Sequence, residues 1–538
     1  VKTLILNGRL WAAGASIAAI IAASAPAMAQ SSGNRKVDVT PYLGVDQVVM
    51  VPLKGEGDVL TYTNVTAGVT AQVQTRRVEA VVDLQYNHSF GWGSQAVDQD
   101  VISGVASAQF KVARGLSLNA GGVATRVRTD GLSGASTLND SFTSNVYAGY
   151  VGPSYTTQIG DINVTGSYRL GYARVEDDVD SDFPGALPNM GAFADSWSHN
   201  LFASVGFAPG TLLPIGLTAS AGYDREDASQ LDQRFEDKWG RVDASLPVSR
   251  TVALIGGLGY EQIEISQRSP LLDTAGAPVI RNGRYVTDGN SPRALVYEFD
   301  DIIWDAGVLW RPSRRTSLEA RVGQRYGGMT YQGSFTWQGR DSSFALAVFD
   351  GIDSFGRLIT ANAAAVSGSS LNVARNPFTG DITGCAFSTT GGGQCFNDAL
   401  SGITDANFRY RGVSAQYALQ RGPWGWGVGA GYSQRKFITP RGQSVLIRGS
   451  KDQNWYGNGS MTYTISDSDS IDTVVYANYF DASGGRPDVT NYGGFTSYYK
   501  NLTRKLSASA SIGVDGVKSD DIDTIISAMG QVGLRYSF

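Results

Sequence analysis

The chain has 538 residues, 44 Lys and Arg against 49 Asp and Glu, a formal net charge of −5, and a charged fraction of 17%. Glycine is abundant at 66 and tyrosine frequent at 25, while only two histidines and two cysteines occur. A mean hydropathy of −0.14 excludes a polytopic helical membrane protein, and the acidic balance gives no support to nucleic-acid binding; a membrane β-barrel, whose apolar residues are diluted by alternation, stays open.

Residues 1–29 read as a cleaved signal peptide. Lys2 and Arg9 supply a positive start, residues 10–25 are apolar and Ala-rich, and Ala27-Met28-Ala29 is an A-x-A cleavage site before Gln30. Gln rather than Cys at position 30 predicts no lipoprotein anchor. Beyond Gln30 no stretch is long and apolar enough to cross a bilayer as a helix. A short segment, 30–36, then leads into a single pattern that occupies 37–538.

That pattern is alternation with a period of two, which marks strands with one apolar and one polar face. In LSASASIGV (506–514) one face is Leu506, Ala508, Ala510, Ile512 and Val514, and the other is small and polar. Twenty-two runs are predicted: 37–51, 58–75, 78–90, 99–113, 116–128, 143–158, 162–175, 196–208, 215–225, 234–247, 251–266, 296–311, 316–326, 330–338, 341–352, 407–420, 424–437, 453–465, 471–481, 489–501, 506–516 and 525–538. Tight breaks such as TRR (75–77), IGD (159–161) and LTRK (502–505) alternate with longer ones, up to the long loop at about 353–406. The spacing predicts an all-β fold, a transmembrane up-and-down antiparallel β-barrel of about 22 strands (18–24 bracket a miscounted hairpin). Short periplasmic turns and longer extracellular loops are expected, with both termini on the short-turn side. The weakest section is 316–352, where one long-side turn has only a few residues. Trp304 with Trp310, and Trp424 with Trp426, share faces as interfacial girdles require.

The chain closes on QVGLRYSF (531–538), an alternating strand that ends on an aromatic. With the signal peptide, the basic tight turns and this terminal strand, the sequence resembles Gram-negative outer-membrane β-barrel proteins. Their last strand carries the signal read by the barrel assembly machinery, and Leu534, Tyr536 and Phe538 match it. The resemblance implies that the last strand pairs with the first and that the protein resides in the bacterial outer membrane, with outer-membrane lipid and lipopolysaccharide around it. More distantly, the layout is similar to porin-like barrels associated with exopolysaccharide loci, from which no functional residue is carried over.

The face opposite the apolar one should line the lumen, because charges facing lipid are costly. It carries Glu79, Asp83, Lys111, Arg169, Arg241, Asp243, Asp301, Asp305, Glu319, Arg321, Arg325, Arg435, Asp472 and Arg535. Two readings stand: a wet channel whose opposed charges order polar solutes, or ion pairs that only brace the wall. Tyr410, Tyr456 and Tyr476 share the inward parity, where a sugar slide would lie. The segment before the first strand leaves no room for a plug domain, which argues against a TonB-dependent receptor. The interior is therefore expected to be open or filled by the 353–406 loop, which is predicted to narrow the pore; an external cap is the alternative. Its stretch 360–370 suits a short helix, and Cys385 and Cys395 are expected to form one disulfide in an oxidising compartment. His88 and His199 stand beside no nucleophile motif, and no G-x-S-x-G occurs, so no enzyme, catalytic residue, cofactor or metal site is expected. The expected function is a porin-like channel for passive passage of small polar or carbohydrate solutes. An exopolysaccharide-export barrel and a structural or adhesion barrel with a closed lumen are the alternatives.

Overall fold

The computed structural model describes residues 36–55, 58–92, 99–128, 143–177, 193–281, 284–366, 371–389, 391, 393–438, 451–482, 488–519 and 524–538. The predicted cleavage residues Ala27, Ala29 and Gln30 lie outside them, as does most of the acidic stretches 175–182 and 518–524.

Twenty-two strands form one antiparallel sheet closed on itself. They are β1 (Lys36–Lys54), β2 (Leu60–Gln74), β3 (Val78–Trp92), β4 (Gln99–Ala113), β5 (Leu116–Arg128), β6 (Thr143–Ile159), β7 (Ile162–Asp177), β8 (Asp195–Phe207), β9 (Gly216–Ala228), β10 (Gln233–Pro247) and β11 (Val252–Gln267). The second half comprises β12 (Ala294–Ser313), β13 (Thr316–Arg325), β14 (Gly328–Gln338), β15 (Ser342–Asp353), β16 (Asn407–Arg421), β17 (Trp424–Ile438), β18 (Lys451–Thr464), β19 (Asp469–Asp481), β20 (Val489–Asn501), β21 (Leu506–Ser519) and β22 (Ile525–Ser537). Each strand pairs with the next, and β1 pairs with β22 from Tyr42 opposite Ser537 to Lys54 opposite Ile526. This is the transmembrane up-and-down barrel expected from the alternation, with the strand number expected. Both ends of the sheet meet at the short-turn rim, where the Phe538 amide donates to the Pro41 carbonyl (3.0 Å).

Alternation sorts the side chains. Outward positions such as Leu258, Ile512 (71% exposed), Val532 and Leu534 remain uncovered by protein, while inward Val48, Val105 and Phe495 are buried. On β17 and β18 the outer aromatics form two bands. Trp424 stacks on Trp426 (5.9 Å between ring centres) and packs on Tyr463 (4.2 Å) near the short turns. Tyr432, Trp455 and Tyr479 form a row near the long loops, with ring centres 5.0 and 5.3 Å apart. Eight residues separate Trp424 from Tyr432, about 26 Å along the strand and hence about 20 Å across the membrane at the usual tilt, near the height of the apolar band of a membrane barrel.

The weak section resolves into a real hairpin. β13 and β14 are joined by Tyr326 and Gly327, both with positive φ (57° and 70°), as a two-residue primed turn requires. Because this hairpin is short, β14 pairs with β15 only from Gly333 opposite Val348 to Gln338 opposite Ser343. Above that point Arg409 and Arg411 donate to the Met329 carbonyl (3.3 and 3.1 Å), so side chains satisfy a backbone acceptor that the ladder leaves free.

Replacing Leu258, exposed on the outer surface midway along β11, with Arg should destabilise the folded barrel in lipid vesicles by about 2–4 kcal/mol. A urea titration checks this, and a loss under about 1 kcal/mol would mean that this face does not meet hydrocarbon.

Candidate functional site

The lumen is occupied by the segment between β15 and β16. It opens with helix α1 (Phe355–Ala365), capped by Ser354, whose Oγ accepts the Arg357 amide (3.2 Å). Short strands Asn372–Arg375, Ile382–Phe387 and Gln394–Cys395 form a small sheet, and helix α2 (Asn397–Leu400) returns the chain to β16. Cys385 lies opposite Cys395 in that sheet and the two are disulfide-bonded. The helix begins at Phe355 rather than at 360 because the Ser354 cap sets its start, and 367–370 lie outside the described residues.

The loop folds inward and packs against the inner wall. Phe355, Leu358, Ile359 and Ala363 of α1 bury against Val123, Val146, Ala148, Ala173 and Val175 of β5–β7. Elsewhere on the wall, Phe378 is fully buried among Val48, Tyr62, Val474, Phe495 and Met529. Two wall glycines make the approach possible. A Cβ on Gly513 would sit 2.8 Å from the Phe378 ring, and one on Gly429 would sit 2.7 Å from Cys395 Sγ.

Polar contacts fix the loop's backbone. The Phe378 carbonyl accepts from Tyr62 Oη (3.1 Å) and Asn64 Nδ2 (2.8 Å), and the Gly380 carbonyl accepts from Ser103 Oγ (2.7 Å) and Gln85 Nε2 (3.0 Å). Arg375 pairs with Asp83 (2.8 Å) and donates to Ser103 Oγ (2.7 Å). Arg126 pairs with Asp381 (3.2 Å), and Arg357 with Glu226 (3.3 Å). On β14–β18, Gln338 donates to the Thr389 carbonyl (2.8 Å), Ser343 to the Ser388 carbonyl (2.6 Å), Arg435 to the Gly402 carbonyl (2.7 Å) and Asn458 to Asn397 Oδ1 (3.1 Å).

On β10–β13 the wall carries charges bonded to one another. Arg241 reaches Asp243 (2.6 Å) and Asp305 (2.7 Å); Arg321 reaches the same two carboxylates (2.7 and 2.9 Å) and Glu319 (2.6 Å). Arg325 holds the buried Glu261 (Nε to Oε2, 2.6 Å). Between this network and the loop lies a cavity of about 690 Å³, faced by Arg241, Asp243, Glu319 and Arg321 on the wall side and by Asn362 and Asp398 on the loop side.

The other inward candidates are dispersed. Glu79 and Arg169 line a separate cavity of about 650 Å³ beneath Ala364 and Val366. Lys111 lies opposite Ser117 close to the short-turn rim. Asp301 shares a face with Asp305, and Asp472 with Val474. Arg535 lies 3.4 Å over the Tyr42 ring. Glu226, Arg357, Arg375 and Asp398 contribute to the site without having been singled out from sequence. The inward tyrosines form no free slide: Tyr410 stacks on Phe349 (4.4 Å), Tyr456 donates to Asp398 (3.3 Å) and Tyr476 to Asp515 (2.6 Å). His88 faces outward with Asp100 (2.7 Å) and His199 meets Tyr168 (2.8 Å). Leu534, Tyr536 and Phe538 are exposed. Among the described residues no group of three His, Cys, Asp or Glu side chains is placed to hold a metal.

No family model matches the sequence, and no curated protein matches it. Among solved structures, the FrpB iron transporter of Neisseria meningitidis is similar at a TM-score of 0.44 and 10% identity, covering 92% of this chain and 81% of that one. The ferric-catecholate import receptor Fiu of E. coli scores 0.41 at 12% identity (92% and 81% covered), and the copper transporter OprC 0.41 at 10% (95% and 82%).

Two results are expected of the loop. Burial pushes the Asp398 carboxyl up to about 6, against the Tyr456 hydrogen bond and the Arg435 charge, which favour its charged form. The seated loop therefore binds a proton more tightly than the released loop, and seating should strengthen as pH falls from about 6 towards 4 and be flat above 6. Protection factors of amides 396–401, corrected for the intrinsic pH dependence of exchange, read this, and lower protection at pH 4 than at pH 6 would contradict it. Arg375→Ala should weaken seating by about 2–3 kcal/mol, read as faster exchange over 372–387, since it removes a charged hydrogen-bond donor from Asp83 and Ser103.

Proposed function

We propose that this protein is an outer-membrane transport barrel for small polar solutes, with a lumen restricted by its own inward loop. The observation that carries this reading is the loop's seat. It crosses the lumen and reaches β1–β10 and β14–β22, while beside the paired charges of β10–β13 a polar cavity is left. Solutes would move along that side. Carboxylates outnumber guanidiniums around the cavity, where Asp243, Glu319, Asp353 and Asp398 face Arg241 and Arg321, so a preference for cations over anions is expected.

Export by a cleaved signal peptide, insertion by the barrel assembly machinery through Leu534, Tyr536 and Phe538, and residence in the outer membrane belong to this proposal. A sealed, structural barrel is the second reading. It is favoured by the apolar seating of Phe355, Ile359, Phe378 and Phe396, each at most 1% exposed. An export barrel for polysaccharide gains no support from the inward tyrosines, which are committed to packing and carboxylates.

Deleting 360–400 and recording single channels in a planar bilayer separates the two readings. The transport reading predicts small cation-preferring steps from the full chain and several-fold larger steps from the deletion. A full chain that stays silent while the deletion conducts would favour the sealed barrel. Unchanged conductance after deletion would remove the loop as the constriction.

A further inference from the structure

The outer surface of β17 and β18 carries a base set against a base. Register places Lys436 directly opposite Lys451, while Arg409, the β16 partner of Lys436, lies over the Tyr326 ring beside the inner wall. In the next row towards the membrane Arg411 faces Gln434, which faces Gln453. The face is the outer one, because Lys436 shares its parity with exposed Trp424, Trp426 and Val428, and Lys451 shares its own with exposed Trp455.

The height of the row is set by the aromatic band. Lys436 lies four residues beyond Tyr432, and Lys451 four residues before Trp455. Four residues are about 13 Å along a strand, hence about 10 Å above the band at the usual strand tilt. That is the depth of lipid headgroups rather than of acyl chains.

Like charges directly opposite on neighbouring strands repel. Asp350 is taken up by Arg409 and Arg411 (2.9 Å each) at the gap beside β14, and Asp481, one row lower, is held by Gln453 (2.9 Å). Lys436 and Lys451 are exposed and have no acidic partner among the described residues. At three other places on the outer surface bases sit beside acids: Arg174 with Glu176 (2.8 Å), Arg225 with Asp227 (2.7 Å) and Lys238 with Glu236 (3.4 Å). A chain of net charge −5 thus gathers uncompensated positive charge in one sector, directly above an aromatic band.

We propose that this sector binds the phosphate groups of a phosphorylated lipid of the outer leaflet. Lys436 and Lys451 contact phosphate, Arg411 flanks it, and Tyr432 and Trp455 lie beneath it at the boundary with the acyl chains. The occupant is a lipid rather than a free anion, because the row stands over a surface that needs apolar cover. The inference rests on membrane placement and not on solute passage, so its failure leaves the conductance experiment untouched.

The test uses the full folded chain in detergent, titrated by native mass spectrometry with bisphosphorylated lipid A, with the same lipid lacking phosphate, and with inorganic phosphate as competitor. Bisphosphorylated lipid A should bind about tenfold more tightly than the phosphate-free form, and inorganic phosphate should not displace it. The double variant Lys436→Gln, Lys451→Gln should lose that tenfold preference while binding the phosphate-free lipid as before. Lys518→Gln, an exposed base at the end of β21, should change nothing, and heat-dependent electrophoretic mobility reports that each variant is folded. Equal binding of the two lipids, an undiminished double variant, or displacement by inorganic phosphate would each overturn the proposal.

Discussion

In hydrocarbon no water is available to a bare amide or carbonyl, so a sheet that crosses a membrane must have no edge. The pairing of β1 with β22 meets that constraint, and the rest of the molecule follows from it. Closing 22 strands fixes a wide ring, and a ring this wide has an interior that side chains of the wall alone do not fill. The interruption between β14 and β15 obeys the same rule, since Arg409 and Arg411 supply donors where the neighbouring strand does not.

The interior is filled by a segment of the same chain, in two chemically different ways. Apolar side chains of α1 and the Phe378 tip replace lumen water on the faces they touch, while wall side chains donate to the backbone carbonyls of the loop. Without those donors the buried carbonyls would be unsatisfied, and the seat would be unfavourable despite its apolar contacts. On β10–β13 the wall is covered by its own charges. Two guanidiniums share three carboxylates there, which keeps charge inside the barrel without leaving any of these groups unpaired. The network pairs its charges across the wall and also faces a cavity.

Most of the fold was legible because a period of two is hard to mistake when repeated over five hundred residues. Each predicted run lies within three residues of an observed strand end, including the β13–β14 hairpin whose long-side turn has two residues. Side-chain direction followed from the same parity, as Asp243, Asp305 and Arg321 illustrate. Parity failed where the lumen is not watery. Ile263 and Ile265 are inward and apolar because they pack with Phe235 and Ile352, so Glu261, on the same face, was not read as a lumen charge. The seating of the loop was not legible. It depends on wall glycines at 429 and 513 and on donors from Asn64 and Ser103, hundreds of residues away in sequence, and no local pattern announces such contacts. Asp398 looks like an ordinary helix-start acid until Tyr456, Ser433 and Arg435 close around it.

The central claim is that the loop sits inside the barrel against the wall formed by β1–β4. The most direct measurement is thiol labelling of Val48→Cys by a water-soluble reagent in the membrane-inserted protein, at a β1 wall position fully buried in the cluster around Phe378. The account predicts no labelling in the full chain and rapid labelling once 360–400 are deleted. Free labelling of the full chain would place the loop over the barrel rather than in it and would contradict the account.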